Sequence, residues 1–285
     1  MTTPPKPEAP IEPYTVVLTS CGRFDLLERT LASLLPRLEG PVEEVHVIED
    51  SGNRAVADVV RQFDGFRAPI YTMVNTPKLG QVRSIDRLYS RVETEWLFHC
   101  EDDWEFFGSR FISQSFFLLQ EFPNFSMVTP RDPAGFHPEY FFSEQTAASG
   151  VRYRMANPAR ARRFAGLMFS PGLRRMREYR IVGPYARLSV VPTEPVVGRV
   201  YRELGYRVAA LAEPAVRHIG QDRHVQIFEK PPGWTRRQIR SARKHWERLN
   251  WLVRPHSDPI NLALRRQKLQ ERLEHNRGLR DRGTG

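Results

Sequence analysis

The chain has 285 residues, 40% hydrophobic and 11% aromatic, a globular composition that excludes a disordered protein. Its formal net charge of +10 invites a nucleic-acid reading, but residues 235–285 hold 14 Lys and Arg against 5 Asp and Glu, a surplus of +9, leaving +1 for everything before them. The body is close to neutral, which argues against a nucleic-acid partner. Two cysteines, Cys21 and Cys100, make no disulfide framework, and no CxxC or His/Cys cluster suggests zinc. Residues 1–13 are proline-rich without an apolar run, so they read as a flexible tail rather than a signal peptide. With no stretch of membrane-spanning length, cytoplasmic residence is the expectation.

From Tyr14 onward, strand-like runs alternate with helical patterns. Residues 14–19 (YTVVLT) read as a first strand, and Leu27, Leu31, Leu34 and Leu38 then recur at helical spacing up to Gly40-Pro41. A second strand (44–50) and helix (55–63) follow, then a third strand (69–74) and a helix placing Val82, Ile85, Tyr89 and Val92 on one face. Residues 95–100 (EWLFHC) are a fourth strand. Such alternation with short connections predicts a parallel sheet covered on both faces. Polar residues collect at the strand ends, at Thr19-Ser20, Asp50-Ser51, Asn75 and 101–103, and that edge of an open parallel sheet is where ligands bind. Farther along, residues 165–171 (AGLMFSP) read as another core strand. Residues 192–205 read as a helix with Thr193 as N-cap and Pro195 in its first turn, and 206–211 and 215–220 follow as further apolar runs.

The fourth strand runs into three consecutive carboxylates, Glu101, Asp102 and Asp103. Strand alternation would point Glu101 and Asp103 to one side and Asp102 to the other. Like charges this close need a positive counterpart, and two carboxylates at a strand end suit Mg²⁺ or Mn²⁺, which take few protein ligands and fill the rest with phosphates and water. A solvated acidic turn is the competing use.

The ordered series YTVVLTSCGRFDLLERTLASL, VIEDSGN, LGQVRSID and LFHCEDDWEF resembles the nucleotide-sugar-binding half of a GT-A glycosyltransferase, nearest the inverting family-two enzymes; the similarity covers roughly residues 14–220. The resemblance implies an α/β, Rossmann-like, mostly parallel sheet flanked by helices. It divides the chain into the tail at 1–13, a catalytic domain at 14–230 (nucleotide half 14–104, acceptor half 105–230), and a basic helical extension at 231–285. Thr19 and Arg23 match the region approaching the nucleotide. Asp50 and Ser51 match the position reading uracil and ribose, and Lys78, Gly80 and Arg83 match the loop and helix start flanking the phosphates. The triplet matches the DxD motif: Asp103 as metal ligand, Glu101 or Asp102 toward the ribose. Glu in first place departs from the motif and leaves the split between those two open. Local alternatives stand beside each: Arg23 can pair along its helix, Asp50-Ser51 can cap one, and Lys78 can be solvated.

The resemblance further implies Glu194 of PTEP as catalytic base and His218 of VRHIG as the residue completing the metal shell. A carboxylate at a helix start is kept ionised by the dipole, suiting proton removal from an acceptor hydroxyl, although first-turn acids also serve the helix alone. The partners implied are a nucleotide-sugar donor, with UDP the expected carrier, and a glycan, lipid-linked or small-molecule acceptor. Asp132, His137 and Glu144 are second-rank bases, and the aromatics of 132–142 serve either an acceptor or a core. In the extension, Ile239, Ala242, Trp246, Leu249 and Val253 form a three-four stripe for packing on the domain or on a twin subunit. Contact with an anionic inner-membrane face is the alternative. A nucleotidyltransferase and a non-catalytic nucleotide-sugar-binding module are the rival functions; the single glycine of TSCGRFD weakens the former.

Overall fold

A computed structural model describes residues 10–188 and 194–221. The predicted Thr193 cap, most of the N-terminal tail and the whole extension at 231–285 lie outside the described residues.

β1 (Tyr14–Ser20) is buried along its whole length, as a strand covered on both faces must be. Its side chains alternate between two cores: Val16 and Leu18 join one, Val17 the other. α1 (Phe24–Leu34) buries Leu26, Leu27, Thr30, Leu31 and Leu34, the stripe its leucine spacing dictates. β2 (Val42–Glu49), α2 (Val56–Arg61), β3 (Ile70–Val74), α3 (Gln81–Tyr89) and β4 (Trp96–Glu101) complete the first half. There follow β5 (Trp104–Phe106), α4 (Phe111–Glu121), β6 (Phe125–Thr129), β7 (Gln145–Thr146), β8 (Arg152–Met155), β9 (Gly172–Arg175), α5 (Met176–Val182), α6 (Glu194–Glu203), β10 (Arg207–Leu211) and β11 (Val216–His218).

The main sheet has the order β3-β2-β1-β4-β9-β6-β10-β8-β7, and β11 pairs with β5 in a separate two-stranded ribbon. Seven strands of the main sheet share one direction, while β8 and β9 run against them. The sheet is therefore mixed, though mostly parallel as expected. α1, α2 and α4 pack on one face; α3, α5 and α6 cover the other. Among the described residues no helix is long and apolar enough to cross a membrane.

The strand expected at 165–171 lies one segment later, at β9. The reason is a side chain: the buried Arg174 guanidinium donates to the carbonyls of Met168 (3.1 Å) and Ser170 (3.3 Å), curling this stretch around itself. Gly172 then brings β9 against β6, where a Cβ would stand 2.6 Å from the Val128 carbonyl oxygen.

Candidate active site

Parallel register brings the ends of β1, β2 and β4 side by side: Ser20 lies opposite Glu49, and Thr19 opposite Glu101. β4 ends at Glu101 and the chain turns through Asp102 and Asp103 into β5. That turn overturns the expected alternation. Asp102 and Asp103 share one cation, Arg23: its Nη2 pairs with Asp102 Oδ1 and its Nη1 with Asp103 Oδ2 at 2.8 Å. Glu101 instead accepts from Gln81 Nε2 (2.5 Å) and Trp104 Nε1 (3.2 Å). Cys21 N–H adds a bond to Asp102 at 3.2 Å.

The three acids differ in how readily they ionise. Burial, reinforced by the charges of Asp103 and Glu194, raises Glu101 to about 8. Burial outweighs Arg23 at Asp102 and raises it to about 6. Burial also pushes Asp103 upward, but the hydrogen bond from His218 and the Arg23 charge overcome it and leave Asp103 below the ordinary carboxylate value. Asp103 is thus the acid best kept anionic at neutral pH. His218, carried in on β11, sets its Nε2 3.2 Å from Asp103 Oδ2. Its ring packs on Trp104 at 4.9 Å between centroids. Asp103 Oδ1 is buried and has no hydrogen-bond partner among the described residues.

A cavity of about 200 Å³ opens at this edge. Thr19, Arg23, Asp50, Lys78, Gly80 and the triplet line it, so eight of the anticipated residues converge. Ser51 and Arg83 are exposed and stand outside the lining. Glu194 and His218 are also outside it, although His218 touches Asp103. Asp50 has a local task. Its carboxylate accepts from Leu79 N–H (2.7 Å), Gly80 N–H (2.8 Å) and Asn75 Nδ2 (2.8 Å), tethering the loop ahead of α3. Gly80 turns there at φ +84°, a conformation other residues rarely adopt.

Sequence reading put Ser20 at the ligand edge without giving it a site role, and it missed Cys21, Gln81 and Ser84 in the lining and Glu49 at the end of β2. Glu49, fully buried, accepts from Gly22 N–H (2.9 Å) and Ser51 N–H (2.7 Å) and so shapes both neighbouring loops. Ser20 and Gln81 were findable as the last strand residue and the first helical residue at the ligand edge. Glu49 was hidden because strand position alone does not say that a carboxylate turns back to its own loop.

Glu194 begins α6 as described and accepts from Phe169 N–H at 2.8 Å. Burial raises its pKa, while that hydrogen bond and the charges of Arg131 and Arg174 oppose the rise. The second-rank acids and histidine have other work: Asp132 accepts from Ala134 N–H (2.8 Å), His137 from Glu139 N–H (3.4 Å), and Glu144 pairs with Arg152 (3.0 Å).

No protein-family model matches the sequence, and no curated protein matches it. Solved structures do match. A mannosyltransferase, PcManGT from Pyrobaculum calidifontis, in complex with GDP-Man and Mn²⁺, superimposes with a TM-score of 0.52 at 12% identity over 88% of this chain and 68% of its own. GalNAc-T7 with UDP, GalNAc and Mn²⁺ gives 0.52 at 13% identity, over 72% of this chain and 43% of that one. S. aureus TarS gives 0.50 at 12% identity, over 72% and 36%. The fold is GT-A. This chain spans less than half the length of the latter two neighbours, so the likeness concerns the GT-A core that they share.

Within this GT-A core, no three His, Cys, Asp or Glu side chains among the described residues form a ready-made cation cluster. Asp103 and His218 are the residues that could hold a cation here, as two ligands, with the unpartnered Asp103 Oδ1 as a further lone pair. That suits Mn²⁺ or Mg²⁺, which often take only one or two protein ligands and complete the shell with phosphate oxygens and water.

Proposed function

We propose that the protein is a metal-dependent inverting glycosyltransferase. It would move a sugar from a nucleotide-diphosphate donor, with uracil the expected base, to a hydroxyl of a glycan, lipid-linked or small-molecule acceptor. The observation carrying this reading is the meeting of Asp103 and His218 at 3.2 Å beside a cavity at the C-terminal ends of parallel strands. The nucleotide-sugar and Mn²⁺ complexes of the structural neighbours support the donor and metal classes; GDP and UDP both occur among them, so the base rests on the resemblance.

Asp103 and His218 would hold the cation, which when bound supplies Lewis-acid neutralisation of the diphosphate. Lys78 and Arg23, both in the cavity wall, would add positive charge where negative charge builds on the leaving group. Glu194 is the proposed base: as the acceptor oxygen bonds to the anomeric carbon, its proton passes to the Glu194 carboxylate. The bond from that carbon to the phosphate oxygen breaks, and its electron pair leaves with the nucleoside diphosphate. Phe169 N–H fixes one Glu194 oxygen, leaving the other for the acceptor.

Two measurements test this. Incubation with UDP-, GDP-, CMP- and dTDP-sugars, with and without Mn²⁺, should raise thermal stability for one nucleotide class only. With that donor, Glu194→Gln should lower turnover about 100-fold or more while leaving donor affinity within about threefold. Release of pyrophosphate instead of nucleoside diphosphate would identify a nucleotidyltransferase, and binding without turnover a non-catalytic module.

A further inference from the structure

Arg131 brings a positive charge near the site and, among the described residues, has no ion pair. It follows the end of β6, which runs in the same direction as β4. Its backbone is fixed: it bridges Val216 of β11, and the adjacent Pro130 carbonyl accepts from Ala215 N–H at 2.8 Å. The guanidinium lies over the Phe136 ring at 4.2 Å and the Trp104 ring at 5.2 Å. Trp104 is also the residue that donates to Glu101 and packs on His218. One indole therefore separates Arg131 from the proposed cation ligands.

Half-buried, the guanidinium has no ion pair and no side-chain hydrogen bond among the described residues. The carboxylates whose charge reaches it, Glu194 and Glu101, are held by Phe169 N–H and by Gln81 and Trp104 respectively. None of its nitrogens is a fully buried atom, so the ring-stacked guanidinium keeps N–H groups open to an incoming ligand while its position is fixed by the two rings. Rings on its faces leave the in-plane N–H groups free, and these match the two oxygens of a carboxylate or phosphate. A neutral sugar hydroxyl does not need a full positive charge to bind.

We propose that Arg131 binds an anionic group, a carboxylate or a phosphate, carried by the substrate sugar. The proposal rests on the glycosyltransferase reading and narrows its substrate class to acidic or phosphorylated sugars, on the acceptor or on the donor.

The test is calorimetric titration of the full-length protein in Mn²⁺. In the acceptor arm, UDP-loaded protein is titrated with methyl glycosides of glucose and galactose and with the matching uronates and 6-phosphates. In the donor arm, UDP-glucose is compared with UDP-glucuronate. A preference of tenfold or more for the charged probe is expected in one arm, which assigns the anion to acceptor or donor. Arg131→Gln should reduce that preference to within twofold without changing UDP affinity by more than twofold. Arg131→Lys, which keeps charge but lacks the planar fork, should retain only part of it and carries the decision if the Gln variant does not fold. Equal binding of charged and neutral probes in both arms, or a preference that survives both substitutions, would overturn the proposal. Failure of UDP itself to bind would count against the site as a whole; UDP binding without charge preference removes Arg131 alone.

Discussion

At the residue scale, Gly220 shows how closely the site is packed. A Cβ placed there would stand 2.7 Å from both Cβ and Oδ2 of Asp103 and 3.1 Å from Arg23 Nη1. The position is glycine for want of space. Gly220→Ala must push Asp103 out of place, and overpacking of this kind typically costs ~1–3 kcal/mol. UDP affinity in Mn²⁺ should fall about tenfold or more while the circular dichroism spectrum stays native; unchanged affinity would show that Asp103 is not held by this contact. His99 offers a pH test. It is fully buried, and Tyr89 OH lies 3.1 Å from its Nδ1. Burial, aided by the Arg174 charge, holds its pKa well below the usual histidine value. The folded state then keeps His99 neutral while the unfolded chain takes up a proton below about pH 6.5, so stability is present above that pH and is lost on acidification, by up to ~1.4 kcal/mol per pH unit. His99→Asn should flatten the fall in Tm between pH 7 and pH 5; an unaltered profile would contradict this.

At the scale of elements, β1 to β4 and the helices between them could be read directly, because buried parallel strands are continuous apolar runs and their covering helices carry leucine and valine at three and four residue steps. β9 could not. Its four residues include Gly172, Arg174 and Arg175, and the two arginines are buried. Arg174 is accommodated by carbonyls of the preceding segment and by Tyr89 OH at 2.9 Å, contacts that depend on tertiary packing and leave no periodic mark. The same carbonyls flank Phe169, whose N–H holds Glu194, so β9 positions the proposed base through one side chain. Arg174→Met keeps the bulk but strands those acceptors, at ~1–3 kcal/mol for each buried group left unsatisfied. Tm should fall by about 5 °C or more, and turnover with saturating donor should drop while UDP affinity is retained. A variant with lowered Tm and normal turnover would assign Arg174 to stability alone.

Over the whole molecule, the GT-A topology followed from strand–helix alternation and from the ordered motifs, whereas the reversal of β8 and β9 did not. Of the eight anticipated residues in the cavity lining, Thr19, Asp50 and the triplet stand at or just past the ends of neighbouring parallel strands, while Arg23, Lys78 and Gly80 come from the loops and helix starts that follow strands. Asp103 and His218 are 115 positions apart by their numbering in the sequence and meet only because β11 pairs with β5. In the proposed function, that pairing would make nucleotide and metal binding depend on both halves of the chain. If these two residues share a cation with the donor diphosphate, Mn²⁺ and UDP must each strengthen the other's binding by the same factor. The deciding measurement is calorimetric titration of UDP into the full-length protein with Mn²⁺ and with EDTA, repeated on Asp103→Asn. Binding at least tenfold tighter in Mn²⁺, with that gain absent from Asp103→Asn, is the expected result; equal affinity with Mn²⁺ and EDTA, or a gain that persists without the Asp103 carboxylate, would contradict it.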